Sequence, residues 1–227
     1  MKNILIGDSH INFTEVDSCE IFMCSAGSAK GLNNPNSISK YNHTILQKIA
    51  SETHNVYIFM FGGVDIDFSF IHKFIHNPNI NYIEFNRDVV SNYFEFIRAH
   101  FLNKNVIILS VGLPTLDDVN LKSGLLNGHV NYLENYDTNE LEMQIKNINL
   151  PNIITRTLIT INFNDQLKQS LKNTNIKFLD VTSFTLDYSK KRIKDIYYTK
   201  TDHHNYERNK HFNEIINNFI KINFPNL

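Results

Sequence analysis

A serine follows the first apolar run of the chain, in the segment Gly7-Asp8-Ser9-His10 after Ile4-Leu5-Ile6. A buried parallel strand would deliver this serine to the carboxyl edge of a sheet, where open α/β sheets keep their ligands. The glycine permits a tight turn, and backbone N–H groups beyond it can face a developing oxyanion. Gly, Asp and Ser are also ordinary turn residues. Ser9 is therefore a candidate nucleophile that needs a histidine and an acid from elsewhere in the chain. We call residues 7–10 the nucleophile segment.

The segment Thr201-Asp202-His203-His204-Asn205, here called the histidine segment, offers both groups in one short loop before a predicted helix. A histidine can take the serine proton and return it to a leaving group, while a carboxylate fixes its tautomer and stabilises the imidazolium. Because these residues are predicted in a loop, a functional role is favoured for them over a place in the packed core. Other histidines are expected at the surface or partly buried, with the loop residue His129 the least easily dismissed: His10, His72, His76, His129 and His211.

Small residues follow the second predicted strand, in a stretch here called the first glycine segment (24–34). Small side chains let backbone N–H groups approach a ligand closely, so either Gly27 or Gly31 could donate to an oxyanion. A plain flexible loop explains the same composition equally well.

The second glycine segment (61–67) ends the third predicted strand, and its two glycines allow a close turn. Asp65 can order such a loop by accepting backbone N–H bonds. Asp65 and Asp67 also form a D-x-D pair that could bind a metal, although a helix N-cap explains Asp67 more simply.

Short, nearly continuous apolar runs alternate with helical patterns, which predicts a parallel sheet covered on both faces. Right-handed crossovers between the strands then give a three-layer α/β/α sandwich with a five-stranded parallel sheet. The strands are predicted over 3–6, 20–24, 56–61, 106–111 and 176–181, and the helices over 39–53, 68–76, 89–103, 151–172 and 205–222.

The irregular stretch 113–137 predicts a long loop at the same carboxyl edge as Ser9, since prolines, glycines and aspartates follow the fourth strand there. Loops of this length in compact domains are often lids or binding loops. An ordinary surface insertion is the equally weighted alternative.

Composition points to a single domain over 1–227, with 42% hydrophobic residues and a formal net charge of −1. Such a charge supplies no basic field for a nucleic acid. We expect no signal peptide and no membrane span. Two cysteines, Cys19 and Cys24, are too few for a disulfide framework, which favours reduced thiols and a cytoplasmic protein.

Taken together, the nucleophile segment, the two glycine segments and the histidine segment resemble the SGNH (GDSL-like) hydrolase superfamily, in the right order from Gly7 to His204. The resemblance implies a flavodoxin-like α/β/α fold, Ser9 as nucleophile, and Asp202 with a neighbouring histidine as the rest of the triad. It also implies an oxyanion hole of N–H groups from Ser9 and the glycine segments. No cofactor or metal is expected.

Two departures from the superfamily pattern stand out. Val64 occupies the position of the oxyanion Asn in G-x-N-D, as in a divergent branch with G-E-I-D, so the Gly63 N–H or a loop side chain is expected to substitute. Losing one such donor typically costs about 2.7–4 kcal/mol. The usual D-x-x-H spacing is also shortened. The family's small and apolar residues after the base fall at suitable distances from His204, which is preferred, with His203 as the reserve.

The leading hypothesis is a serine esterase or acyltransferase that acts on small O-acyl groups, such as O-acetyl on a sugar or surface-glycan precursor. A glycan or small-molecule ester would be its substrate, and the oligomeric state stays open. One alternative is a non-catalytic glycan-binding domain, suggested by Val64. The other is a metal-dependent phosphoesterase that uses the clustered acids and histidines: Asp8, His10, Asp65, Asp67, Asp202, His203 and His204.

Overall fold

A five-stranded parallel sheet forms the centre of the protein, with strand order β2-β1-β3-β4-β5. The computed structural model describes residues 2–11, 19–127, 138–200 and 206–225. The sheet and its flanking helices confirm the α/β/α prediction, and a separate antiparallel pair, β6 and β7, was not predicted. The strands are β1 (Asn3–Gly7), β2 (Cys19–Met23), β3 (Tyr57–Met60), β4 (Val106–Leu109), β5 (Lys177–Leu179), β6 (Leu186–Asp187) and β7 (Arg192–Ile193).

Helices cover both faces of the sheet, and most begin and end near the residues that the sequence indicated. One predicted helix begins earlier than expected, because the Asn81 side chain accepts hydrogen bonds from the N–H groups of Ile83 and Glu84 and so caps a new first turn. The helices are α1 (Tyr41–Ser51), α2 (Ile71–His76), α3 (Tyr82–Phe101), α4 (Leu121–Asn127), α5 (Thr138–Asn147), α6 (Ile153–Ser170) and α7 (Tyr206–Asn223).

Side chains of β1 show how the two faces are covered. Ile4, Leu5 and Ile6 are all fully buried, and successive side chains of a strand point to opposite faces. Ile4 and Ile6 join the larger core, to which α1, α3 and α6 contribute. Leu5 joins a smaller core with Phe212 and Ile216 of α7. Burial on both sides is why the strand sequences are continuously apolar and not alternating.

A π-helix, Asp65–Phe70, leads into α2, where the apolar pattern predicted an ordinary helix over 68–76. The wider winding carries buried apolar side chains at Ile66, Phe68 and Phe70. π-helical turns are rare and occur often at functional sites. This one lies directly after the second glycine segment.

The predicted loop over 113–137 is wrong in part, because α4 lies inside it. Leu121 and Leu125 are one helical turn apart and both are buried, so a short helix satisfies its backbone while it covers the core. A side chain at Gly124 would come within 2.7 Å of the Leu116 side chain, which shows how closely α4 packs on the preceding loop. His129 lies outside the described residues.

Both cysteines are free thiols, as predicted, with Cys24 buried and Cys19 partly buried. Burial raises the pKa of each thiol to about 12. Throughout the described part of the chain, no helix is both long enough and apolar enough to span a bilayer.

Asn164 of α6 is predicted to be a major contributor to stability. Its side chain accepts the N–H of Val111 and donates to the carbonyl of the same residue, just beyond β4, with N–O distances of 2.8 and 2.9 Å. Asn164→Ala would leave two buried backbone groups without partners, so we expect the free energy of unfolding to fall by about 2–4 kcal/mol. Urea unfolding measures it.

The matched control is Asp165→Ala, since Asp165 is the exposed neighbour on the same helix. We expect a change within about 0.5 kcal/mol there. Equal effects of the two substitutions would contradict the proposed role of the Asn164 bonds.

Candidate active site

Ser9 lies at the carboxyl edge of the sheet, where β1 ends and a short 3-10 helix, Ser9–Ile11, begins. The neighbouring strands hold this turn, because Asp8 N–H donates to the Met60 carbonyl and Cys24 N–H donates to the Gly7 carbonyl. The serine is only 6% exposed, yet its hydroxyl oxygen has no hydrogen-bond partner among the described residues. A buried hydroxyl without a partner is uncommon and requires an explanation.

The Asp8 carboxylate connects the serine turn to the second glycine segment. One oxygen accepts the backbone N–H of His10 at 3.0 Å and faces its ring Nδ1 at 2.8 Å. The other accepts the N–H groups of Gly63 at 3.0 Å and Val64 at 3.4 Å. Burial alone would raise the pKa of this carboxyl, but His10 and the N–H donors hold the pKa below its ordinary value.

His10 is buried next to Ser9, which contradicts the prediction of a surface or partly buried histidine. Its Nδ1 meets Asp8, and its Nε2 lies 3.4 Å from a carboxylate oxygen of Asp67. Burial alone would lower the pKa of the imidazole, but the two carboxylates raise it to about 9. The D-x-D pair that follows the third strand was the available sequence signal for this contact.

Asp65 joins the two glycine segments to each other. Its carboxylate accepts the N–H of Ala29 at 2.6 Å and the N–H of Lys30 at 3.4 Å. The expected bonds from backbone N–H groups are present, but these donors belong to the first glycine segment and not to the loop of Asp65. Burial raises the pKa of this carboxyl to about 7, against the effect of the N–H donors.

Asp67 does not cap a helix, contrary to the sequence interpretation. It lies inside the π-helix and faces His10. The D-x-D residues thus contact different partners, Asp65 the first glycine segment and Asp67 the imidazole. In the described ranges, the ligand atoms that converge well enough for a metal ion come from Glu20, Glu52 and His54, and none belongs to the predicted site.

Close packing explains both residues of the Gly62-Gly63 pair. Gly62 has φ of +120°, a region that other residues rarely adopt, and a side chain there would also meet Phe163 at 2.6 Å. A Cβ on Gly63 would lie 2.3 Å from Nδ1 of His10. The second glycine segment is therefore pressed directly against the histidine that follows Ser9.

A small pocket of about 10 Å³ lies beside Asp67, which forms part of its wall. A volume of this size accommodates about one water molecule. Thr199 reaches the same wall, because its N–H donates to the Thr115 carbonyl at 2.9 Å. Thr199, two residues before the histidine segment, therefore lies close to this pocket. The remaining lining is mostly apolar: Phe68, Pro114, Thr115, Leu116, Leu121, Leu125 and Arg156.

Solved structures of similar fold cover almost the whole chain. An acetylxylan esterase from Geobacillus stearothermophilus, solved as a catalytic mutant, has a TM-score of 0.53 at 10% identity, with 98% of this chain and 94% of that chain covered. A carbohydrate acetylesterase family member from Sinorhizobium meliloti has a TM-score of 0.52 at 9% identity, with 99% and 100% covered. A GDSL-like lipase from Bacteroides thetaiotaomicron has a TM-score of 0.53 at 12% identity, with 97% and 88% covered.

The chain has the SGNH hydrolase fold. No protein-family model and no curated protein sequence matches it. The likeness to the solved structures therefore lies in the backbone fold.

Val64, predicted to stand at the position of the oxyanion Asn, is buried. The expected replacement, the Gly63 N–H, already donates to Asp8. Gly27 N–H donates to the Cys24 carbonyl at 2.8 Å, and Gly31 N–H donates to Ser28 Oγ at 2.9 Å. These three predicted oxyanion donors are thus engaged within the protein. The N–H groups of Ser9 and Ser28 donate to no described residue.

The remaining predicted triad residues, Asp202, His204 and the reserve His203, lie outside the described residues, so their roles stay predictions. The structure does describe both flanks of this segment. Thr199 pairs with Leu116 at the pocket, and α7 begins at Tyr206.

The raised pKa of His10 predicts how stability depends on pH. The ordinary value is about 6.5 and the folded value is about 9, so the folded protein holds this proton more tightly. The resulting stabilisation is fully present below about pH 6.5 and is lost as the pH rises through about 9. It amounts to on the order of 3 kcal/mol. We expect His10→Gln to flatten the decline of the unfolding free energy between these pH values, as measured by urea unfolding.

His43→Gln is the matched control, since His43 is exposed on α1. It should keep the slope of the unmodified protein. A His10→Gln slope equal to that of His43→Gln would contradict the assigned charge of His10.

Proposed function

We propose that the protein is an SGNH-type serine esterase or acyltransferase that acts on small O-acyl groups, with O-acetyl groups on a sugar or surface-glycan precursor as the natural substrate class. The observation that carries this proposal is the Ser9 hydroxyl at the carboxyl edge of the sheet, which is buried and has no hydrogen-bond partner within the described ranges. The similar structures include an acetylxylan esterase and a carbohydrate acetylesterase family member, which is consistent with this substrate class.

In the proposed reaction, Ser9 Oγ attacks the acyl carbonyl carbon while its proton moves to His204, which Asp202 orients. The carbonyl oxygen becomes an oxyanion, for which the proposed donors are the N–H groups of Ser9 and Ser28, which donate to no described residue. Collapse breaks the ester bond, and the sugar oxygen leaves with the proton from His204. Acyl-Ser9 remains.

The acyl group then passes to an acceptor. Water or a sugar hydroxyl attacks acyl-Ser9 and gives its proton to His204, and that proton returns to Ser9 Oγ as the new acyl product leaves. Water gives hydrolysis, whereas a sugar hydroxyl gives transfer. The same serine chemistry serves both outcomes.

The small pocket supports a short acyl group. Leu116, Leu121 and Leu125 line it, and its volume of about 10 Å³, which accommodates about one water-sized group, favours a short acyl chain over a long one. Its link to the serine is Asp67, which lines the pocket and contacts the residue after Ser9.

Substitution of the serine tests the mechanism. We expect Ser9→Ala to reduce hydrolysis of p-nitrophenyl acetate by at least about 10³-fold, because no other group supplies the nucleophile. Ser39→Ala, at an exposed serine, should retain full activity. Activity that persists in Ser9→Ala and disappears with a chelator would instead favour the metal-dependent phosphoesterase. A soluble, folded protein with no esterase activity in any form would favour the glycan-binding domain.

Chain-length preference tests the pocket. We expect kcat/KM for the acetyl ester to exceed that for the butyryl ester by about tenfold or more, since small differences in a tight apolar pocket are worth about 1–3 kcal/mol. Leu121→Ala should reduce this ratio, whereas Leu158→Ala, at an exposed leucine on α6, should not. An unchanged ratio in Leu121→Ala would place the acyl group elsewhere.

A further inference from the structure

We propose that His10 and Asp67 form a positioning pair, which holds the Ser9 turn and keeps one positive charge beside the serine, between the carboxylates of Asp8 and Asp67. The proposal rests on Ser9 as the nucleophile. Neither residue contacts the substrate; the pair acts through the position of the serine turn and through the charge that it places beside Ser9.

The geometry places the His10 ring between two acids that come from different elements. Nδ1 lies 2.8 Å from Asp8 at the end of β1, and Nε2 lies 3.4 Å from Asp67 in the π-helix. Gly63 closes the face of the ring, because a Cβ there would lie 2.3 Å from Nδ1. The ring is therefore held at both nitrogens and on one face. Since His10 follows Ser9 directly, its position also fixes the backbone of the serine.

This arrangement separates His10 from the role of a triad base. A base would share a hydrogen bond with the serine hydroxyl, but Ser9 Oγ has no partner among the described residues. Both ring nitrogens of His10 instead face carboxylates. The histidine is therefore placed to carry charge and to hold the turn.

Charge beside the serine affects the proposed reaction directly. With His10 protonated, the group of Asp8, His10 and Asp67 carries a net charge of −1, and with His10 neutral it carries −2. Additional negative charge near a developing oxyanion opposes its formation, most strongly in a buried site. A protonated His10 therefore favours acyl transfer, and its loss at high pH should slow that step.

Asp8 also acts on three other titratable groups, Cys24, Tyr93 and Asp65. Burial and the neighbouring Asp8 raise the pKa of Cys24 to about 12 and raise the pKa of Tyr93 above its ordinary value, so both stay neutral. Asp65 has a pKa of about 7 and adds a second acidic group. Among the described residues, Asp8 and Asp67 are the charged groups that act on His10 itself. Asp67 is 16% exposed whereas Asp8 is fully buried, so Asp67 is the one to substitute.

The test is a pair of titrations on the full chain. In the first, NMR follows the ring protons of His10, assigned by their loss in His10→Gln, across pH 5 to 11. We expect Asp67→Asn to lower the His10 midpoint by about 1 pH unit or more, the effect of removing one opposite charge at this distance. Asp67→Glu should restore most of it. Asp88→Asn is the matched control, because Asp88 is an exposed aspartate that pairs with Lys30 of the first glycine segment.

The second titration follows kcat/KM for p-nitrophenyl acetate against pH. We expect the alkaline limb of the profile to move to lower pH in Asp67→Asn by the same amount as the NMR midpoint, and to stay in place in Asp88→Asn. A merely structural role would lower activity at every pH without moving the limb.

The outcomes distinguish a failure of the positioning pair from a failure of the proposed serine esterase or acyltransferase function. An unchanged His10 midpoint in Asp67→Asn overturns the pair, and a shifted midpoint with an unmoved alkaline limb overturns its effect on the reaction. If the unmodified protein and Ser9→Ala have the same activity, the proposed function itself fails, and the positioning role fails with it. If activity requires Ser9 but Asp67→Asn moves neither the His10 midpoint nor the alkaline limb, the positioning pair is refuted and the proposed function stands.

Discussion

The buried Asp8 carboxylate is the interaction on which the rest of the site depends. It accepts N–H groups from two parts of the chain that are distant in sequence, the serine turn and the Gly63-Val64 peptide. A carboxylate without water is costly unless donors surround it, so the four contacts of Asp8 must be made together. Because His10 completes this set, the orientation of Ser9, the charge of the imidazole and the approach of the second glycine segment are determined jointly.

Asp65 extends the same principle to the first glycine segment, whose backbone it binds at Ala29 and Lys30. Two acids therefore hold three loops at one edge of the sheet. A bond to a backbone N–H group does not depend on which side chain the donor residue carries. This helps to explain how the chain can have the SGNH fold at only 9% to 12% identity to solved structures. Val64 fits this view, because its N–H donates to Asp8 although its side chain is apolar.

The sheet was predictable because its strands are buried on both faces, which leaves apolar runs such as Ile4-Leu5-Ile6 in the sequence. Ser9 was predictable as the residue that such a strand delivers to the carboxyl edge. The burial of His10 was not, because it depends on Asp67 and Gly63, which only the folded chain brings next to it. The engaged N–H groups of Gly27 and Gly31 were missed for a related reason, since a glycine shows where a backbone can approach and not what it already binds. The short helix α4 was missed because it lies in a segment rich in turn-forming residues.

The central claim is that Ser9 is a nucleophile held ready by the Asp8 contacts. Its most direct test is covalent: the folded protein is treated with a fluorophosphonate at neutral pH, digested, and analysed by mass spectrometry. The account predicts a single phosphonyl adduct on the peptide that contains Ser9, formed much faster than on any exposed serine and absent after heat denaturation. An adduct on another residue, or none on the folded protein, would contradict it.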